Sequence, residues 1–112
     1  MILLISAQEP KLDGPLDNRF GRCHWLIKYD TGTKLWQAFE NPGASQSGGA
    51  GVAAAQFVVD QKADVVISGD FGPNAANAFR AAKIEMRLFS GNLTNVQEAV
   101  DHFTAGKLPI FE

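Results

Sequence analysis

One short stretch of this 112-residue chain carries most of its chemically capable side chains. From Leu12 to Trp25 the sequence reads LDGPLDNRFGRCHW, which includes two arginines, two aspartates, a histidine and the only cysteine. Guanidinium groups bind anions, thiols and imidazoles bind soft metals, and carboxylates bind hard ones. The stretch therefore predicts a site for an anion or a metal. Which of the two is favoured depends on the secondary-structure elements that surround it.

Composition excludes several classes of function. The net charge of −2 provides no basic field for nucleic acid or an anionic membrane surface. A single cysteine excludes an internal disulfide and a four-cysteine zinc or iron–sulfur site, and it favours a reducing compartment. The apolar start, Met1–Ile5, is too short for a membrane span and lacks the basic residues of a signal peptide. These features predict one cytoplasmic domain over residues 1–112.

Five strands are predicted. Continuous apolar runs at residues 2–6 and 64–68 are typical of strands buried on both faces. Residues 23–29 and 34–40 alternate in polarity around a turn at Asp30–Thr33, which predicts a β-hairpin. Residues 84–89 alternate as well, as expected of a strand nearer the sheet edge.

Three helices are predicted from residue composition and from residues that typically begin or end a helix. Residues 52–61 are rich in alanine, and residues 73–83 begin with a proline in the favoured first position. Thr94–Gln97 matches a capping box before an apolar stripe, and Gly106 is the natural stop. His102 falls on the polar side of this last helix and is expected to face solvent.

The element order β-β-β-α-β-α-β-α predicts a three-layer α/β/α domain with a mixed five-stranded sheet. In this topology every helix begins at the edge where the first strand ends, and the Leu12–Trp25 stretch lies over the same edge. We call this edge the top. Open α/β sheets bind ligands at such a reversal of strand order, and helix N-termini attract anions. The three helix entries are rich in glycine: residues 48–51, 69–73 and 91–94.

An anionic ligand at the top is the leading prediction from the residues. Its candidate contacts are Arg19, Phe20, Gly21, Arg22, Gly48, Gly49, Gly51, Gly69 and Gly72. Cys23 and His24 are candidate metal ligands, although neighbours on a regular strand point to opposite faces and could not share one ion. Phe20 is expected to shield one side of the ligand from water.

The sequence is also compatible with other functional hypotheses. Asp13, Asp17 and Asp70 could bind magnesium in a hydrolase. The same helix ends could serve a sensor of a phosphate- or nucleotide-type ligand, and the hairpin tryptophans could mediate dimerisation in a protein-interaction domain. The glycine runs lack the Lys-Ser/Thr of a P-loop. Asp30-Thr31-Gly32 matches the aspartic-protease triplet, but those proteases are all-β proteins.

An ordered set of motifs resembles the nitrogenase iron–molybdenum cofactor biosynthesis accessory family, which includes NifX and the C-terminal domain of NifB. The motifs are DNRFGR, NPG, GAG, DVVISG, GPNA and a final EAV helix. The resemblance implies a ribonuclease-H-like fold without nuclease activity. It also implies non-catalytic binding, storage or delivery of anionic metal–sulfur clusters containing molybdenum, iron or copper, exchanged with cluster-donor or acceptor proteins.

One departure from the family pattern concerns Arg19. Nitrogenase-associated members of the family carry a histidine before Phe-Gly, whereas this chain has arginine. Arginine does not ligate a metal but can pair with a thiometallate anion. The resemblance is therefore to the stand-alone, single-domain branch. We expect a carrier of an anionic Mo–S or Fe–S type cluster that is a monomer or a weak homodimer and binds neither nucleic acid nor membrane.

Overall fold

The computed structural model describes residues 1–46 and 48–112. The strands are β1 (Ile2–Ala7), β2 (Trp25–Asp30), β3 (Trp36–Glu40), β4 (Val65–Ser68) and β5 (Glu85–Leu88). The helices are α1 (Ala50–Asp60), α2 (Pro73–Ala81) and α3 (Val96–Thr104). A single 3₁₀ turn, Pro42–Ser45, leads from β3 towards α1.

The strands form one mixed sheet in the order β3-β2-β1-β4-β5. β2 runs antiparallel to both β1 and β3, whereas β4 runs parallel to β1 and β5. Buried apolar runs in β1 and β4 explain their central positions, because both faces of these strands are covered. The predicted hairpin, five-stranded sheet and three-layer architecture are confirmed.

Two hydrophobic cores lie on opposite faces of the sheet. On one face, α1 and α2 pack against Leu4, Leu26 and Val66. On the other face, α3 packs against the neighbouring residues of the same strands, such as Leu3 and Ile27. The alternation of side chains along each strand thus supplies both cores.

The two edges of the sheet differ. The segment after α3 covers the outer edge of β5, because Leu88 N donates to Pro109 O at 3.0 Å and Phe111 N donates to Met86 O at 2.9 Å. β3 forms the opposite edge.

Some predicted boundaries were wrong by a few residues. β2 begins at Trp25 rather than Cys23, and β3 begins at Trp36 rather than Lys34. Lys34 has a left-handed conformation with φ of 63°, which closes the hairpin turn instead of extending the strand.

The capping box of α3 was also misplaced by one residue. Asn95, rather than Thr94, is the N-cap, and its side chain accepts a hydrogen bond from Glu98 N at 2.9 Å. The Glu98 carboxylate in turn accepts hydrogen bonds from Asn95 N and from Thr94 Oγ1. Hydrogen bonds from Thr94 hold the pKa of Glu98 below its ordinary value.

Within residues 1–46 and 48–112, no helix has the length and apolar character needed to cross a membrane.

Candidate functional site

The long connection between β1 and β2 crosses the top of the sheet from one core to the other. Its first half packs on the α3 face through Leu12 and Leu16, and its second half packs on the α1–α2 face through Phe20 and Cys23. Residues 17–19 therefore lie over the strand ends.

Hydrogen bonds hold the midpoint of this connection to the sheet. Ser6 Oγ, at the end of β1, donates to Asp17 O at 2.6 Å, and Asp17 N donates to Ser6 O at 3.1 Å. Ser6 Oγ also lies 2.7 Å from Ser68 Oγ at the end of β4. The connection is thus anchored at the reversal of strand order, as the topology predicts.

The first half of the connection occupies the N-terminus of α3. Gly14 O accepts from Val96 N at 3.2 Å, and Leu12 O accepts from Gln97 N at 2.9 Å. The capping box satisfies the next donor, Glu98 N. The α3 entry was expected to offer N–H groups to a ligand, but its first-turn donors already have partners.

The N-termini of α1 and α2 are different. Their N-caps are Gly49 and Gly72, which have no side chain with which to cap the helix. The two helices begin side by side, because a methyl group placed at Gly51 would lie 4.0 Å from Ala75 N. No described residue accepts a hydrogen bond from the backbone N–H groups of Gly51, Val52, Asn74 or Ala75. Among residues 1–46 and 48–112, two adjacent sets of N–H donors therefore lack protein partners and suit an anion.

Five of the six predicted glycines divide into two groups. Gly21 and Gly69 lie against backbone: a methyl at Gly21 would lie 3.1 Å from Gly51 N, and one at Gly69 would lie 2.8 Å from Asn18 Cα. These glycines bring the connection close to the helix entries. Gly48, Gly49 and Gly72 have open space where a side chain would be, so these three are the glycines that a ligand could approach.

Both arginines lie at this end of the molecule with exposed side chains. Arg22 Nη1 donates to Gln46 O at 2.6 Å, next to the α1 entry. The Arg19 side chain is 64% exposed, and its Nε lies 3.4 Å from Oδ1 of the buried Asp17. Asp17 therefore offsets part of the Arg19 charge.

Phe20 does not face the surface. It is 2% exposed, with its ring centroid 5.7 Å from that of Phe71 and 5.2 Å from that of Phe79. It anchors residues 19–22, which we call the arginine turn, in the core. The expectation that Phe20 shields a ligand at the surface is therefore not met by this geometry.

Cys23 and His24 separate into two environments. Cys23 has no exposed surface, and its Sγ donates to Phe20 O at 3.2 Å. Burial, with a further contribution from the charge of Asp17, raises the pKa of the Cys23 thiol from 9.0 to about 12. His24 is exposed and lines a surface cavity of about 470 Å³ together with Arg19 and Asp17. The His24 imidazole is therefore accessible to a ligand at this end of the molecule, whereas the Cys23 thiol has no exposed surface.

The buried thiol leads to a reactivity prediction. Because the thiolate is the nucleophile, native Cys23 should react with a disulfide reagent about a thousandfold more slowly than the denatured chain at about pH 8. The native rate should keep rising above pH 9.0, where the denatured thiol approaches full ionisation. Absorbance of the released thiol measures both rates, and equal native and denatured rates would contradict the assigned burial.

The three aspartates do not form a metal site. Asp13 and Asp70 are exposed, whereas Asp17 is buried beside Arg19. Among the residues that the structure describes, no group of three His, Cys, Asp or Glu side chains could hold a metal ion. The geometry therefore offers no support for a magnesium-dependent hydrolase.

Asn41 is a site residue that the sequence analysis missed. Its buried side-chain amide donates to Gly21 O at 3.1 Å and Cys23 O at 2.9 Å, and its Oδ1 accepts from Gly43 N at 2.9 Å. It thereby joins the arginine turn to the segment that enters α1. The available signal was Asn-Pro-Gly after an alternating strand, which is typical of an Asn-capped turn.

Comparison with known proteins gives consistent matches along the chain. A family model described as dinitrogenase iron-molybdenum cofactor matches residues 1–106. The apo form of the orange protein from Desulfovibrio gigas is 33% identical with a TM-score of 0.91, covering 98% of this chain and 92% of that one. A Thermotoga protein described as a candidate NifB protein is 28% identical with a TM-score of 0.83, over 97% and 91% of the two chains. An uncharacterised protein of Methanocaldococcus jannaschii is 26% identical over the full length of both.

Proposed function

The chain belongs to the dinitrogenase iron-molybdenum cofactor family, and from this premise we propose that it is a non-catalytic carrier of an anionic metal–sulfur cluster. The cluster is its cargo, of the Mo–S or Fe–S type, and residues 1–112 act as one binding domain. Cluster-donor and acceptor proteins are the partners expected of such a carrier.

The observation that carries this proposal is the pair of helix N-termini that lack a side-chain cap. α1 and α2 begin side by side, and Gly21 lies against Gly51 between Arg19 and Arg22. Helix N-termini and guanidinium groups both favour negative charge, and together they suit an anion with several acceptor atoms.

The donor types favour a preassembled anionic cluster over a free metal ion. A free ion needs several ligating side chains, and no such group of three exists among the described residues. Sulfides on the surface of a cluster can accept hydrogen bonds from N–H groups without a metal–protein bond. The solved relative from D. gigas is described as an apo form, which supports a ligand-binding role for proteins of this structure.

Anaerobic reconstitution tests the proposal. The protein is incubated with sulfide and molybdate, iron or copper, or with preformed tetrathiomolybdate, and separated from free reagent. We expect a coloured species of fixed stoichiometry whose affinity falls as salt is added, because exposed charges are screened. Inorganic phosphate at equal concentration should not displace it, whereas displacement would favour the phosphate sensor.

Paired variants locate the site. Arg19→Ala with Arg22→Ala should weaken binding at least about tenfold, because two charge-assisted contacts are lost. Lys62→Ala with Lys83→Ala removes the same charge after the C-terminal ends of α1 and α2, so binding should be retained. Equal binding by both double variants would refute the site assignment. Cys23→Ser should bind as the unaltered protein does, and His24→Ala measures any imidazole ligation.

A further inference from the structure

The outer edge of β3 has a row of unpaired backbone groups. Leu35 O accepts from Asp30 N at 3.0 Å, and Asn41 N donates to His24 O at 2.9 Å, so these residues face β2. Because backbone groups alternate along a strand, those of Trp36, Ala38 and Glu40 point away from the sheet. No described residue forms a backbone hydrogen bond to these three on the outer side.

This edge lacks the features that usually prevent strand pairing. Proteins protect edges with proline, bulges or a central charge, and the opposite edge here is covered by residues 109–111. The β3 sequence WQAFE has no proline, and its only charge is at its end. Leu35 and Trp36 are 72% and 42% exposed, which makes them two of the five exposed large hydrophobic residues recorded in the described chain.

We propose that a second copy of this chain adds to the β3 edge as an antiparallel strand, giving a two-fold dimer with a continuous ten-stranded sheet. Hydrogen bonds between the copies can join only outward-pointing backbone groups, so the hydrogen-bonded pairs must be between even-numbered positions. One such register places Gln37 opposite itself, and another places Ala38 opposite itself.

Charge complementarity selects the Gln37-centred register. Its cross-strand pairs are Leu35 with Phe39 and Trp36 with Ala38, each formed twice by symmetry. It also brings Lys34, in the turn just before β3, close to Glu40 of the other copy. The charges are opposed and the apolar side chains are matched, both of which stabilise antiparallel pairs. The Ala38-centred register instead places Glu40 opposite Trp36 and forms no ion pair.

The dimer is independent of the proposed cargo. The proposed interface involves only β3 and its flanking residues, and the oligomeric state is measured without metal or sulfide. Failure of the dimer would leave the cluster site unaffected, and failure of cluster binding would leave the dimer unaffected.

Charge reversal tests the pairing in the full chain. Sedimentation equilibrium should show concentration-dependent association of the unaltered protein. Lys34→Glu or Glu40→Lys alone should raise the dimer dissociation constant about tenfold, because two attractive pairs become repulsive. The double variant should restore association. Lys83→Glu is the matched control, since Lys83 is exposed and shares the left-handed backbone of Lys34 (φ 60° and 63°). A protein that stays monomeric up to its solubility limit overturns the proposal.

Disulfide trapping tests the register. Opposed residues that are not hydrogen-bonded to each other lie with Cα atoms about 4.5 Å apart, within disulfide reach. Gln37→Cys should therefore form an oxidised dimer rapidly, whereas Ala38→Cys, two residues out of register, should not. The buried Cys23 does not compete. Cross-linking through Ala38→Cys in preference to Gln37→Cys overturns the assigned register.

Discussion

Replacing Asn41 by alanine should lower the free energy of unfolding by about 3 kcal/mol, because one change leaves several buried polar groups without partners. Gly43 N loses its acceptor, and the carbonyls of Gly21 and Cys23 lose their donor. Asn41 is 4% exposed, so water cannot readily replace these contacts. Urea denaturation followed by tryptophan fluorescence measures the change.

Two comparisons make the Asn41 result specific. Asn77→Ala removes an exposed amide on α2 and should change stability by no more than about 0.5 kcal/mol. Asn41→Asp keeps the acceptor for Gly43 N but loses both amide donors, so it should remain strongly destabilised. A loss below about 1 kcal/mol for Asn41→Ala would show that the amide is not the joint between the arginine turn and α1.

Replacing Gly69 by alanine should also lower the stability of the folded protein. The added methyl group would lie 2.8 Å from both Cα and Oδ1 of Asn18 and 3.0 Å from Asn18 O. Because two of these three atoms belong to the backbone, the segment that carries Arg19 must move away. Overpacking of this kind costs typically ~1–3 kcal/mol.

Gly91→Ala is the control for Gly69→Ala, since a methyl at Gly91 meets no atom within 4 Å. Thermal unfolding should show a lower midpoint for Gly69→Ala and little change for Gly91→Ala. Comparable midpoints in the two variants would mean that Asn18 and Gly69 are not packed as closely as described.

The mixed five-stranded sheet and its three helices were predictable because they depend on local patterns. Apolar runs such as the one in β4 (Val65–Ser68) mark central strands, and Gly106, with a φ of 73°, follows the end of α3. Strand topology then brings the helix entries and the Leu12–Trp25 stretch to one edge without any knowledge of side-chain contacts.

The roles of single residues within the site were harder to predict. Gly69 and Gly72 are indistinguishable in sequence, yet one packs on Asn18 and the other faces open space. Cys23 was a candidate ligand because of its type, but its burial depends on Asn41 and on α1 and α2, all distant in sequence. Local sequence cannot report contacts of that range. The prediction that the start of α3 offers N–H groups to a ligand was wrong for the same reason. Its donors bond to residues 12–14, which lie more than eighty positions earlier.

The bonds from Gly14 and Leu12 to the start of α3 also set an order of events during synthesis. Leu12 and Gly14 are synthesised more than eighty residues before their partners Gln97 and Val96. Contacts between residues so far apart along the chain form late in folding. The first half of the connection between β1 and β2 therefore lacks these backbone contacts until α3 has been made and has docked.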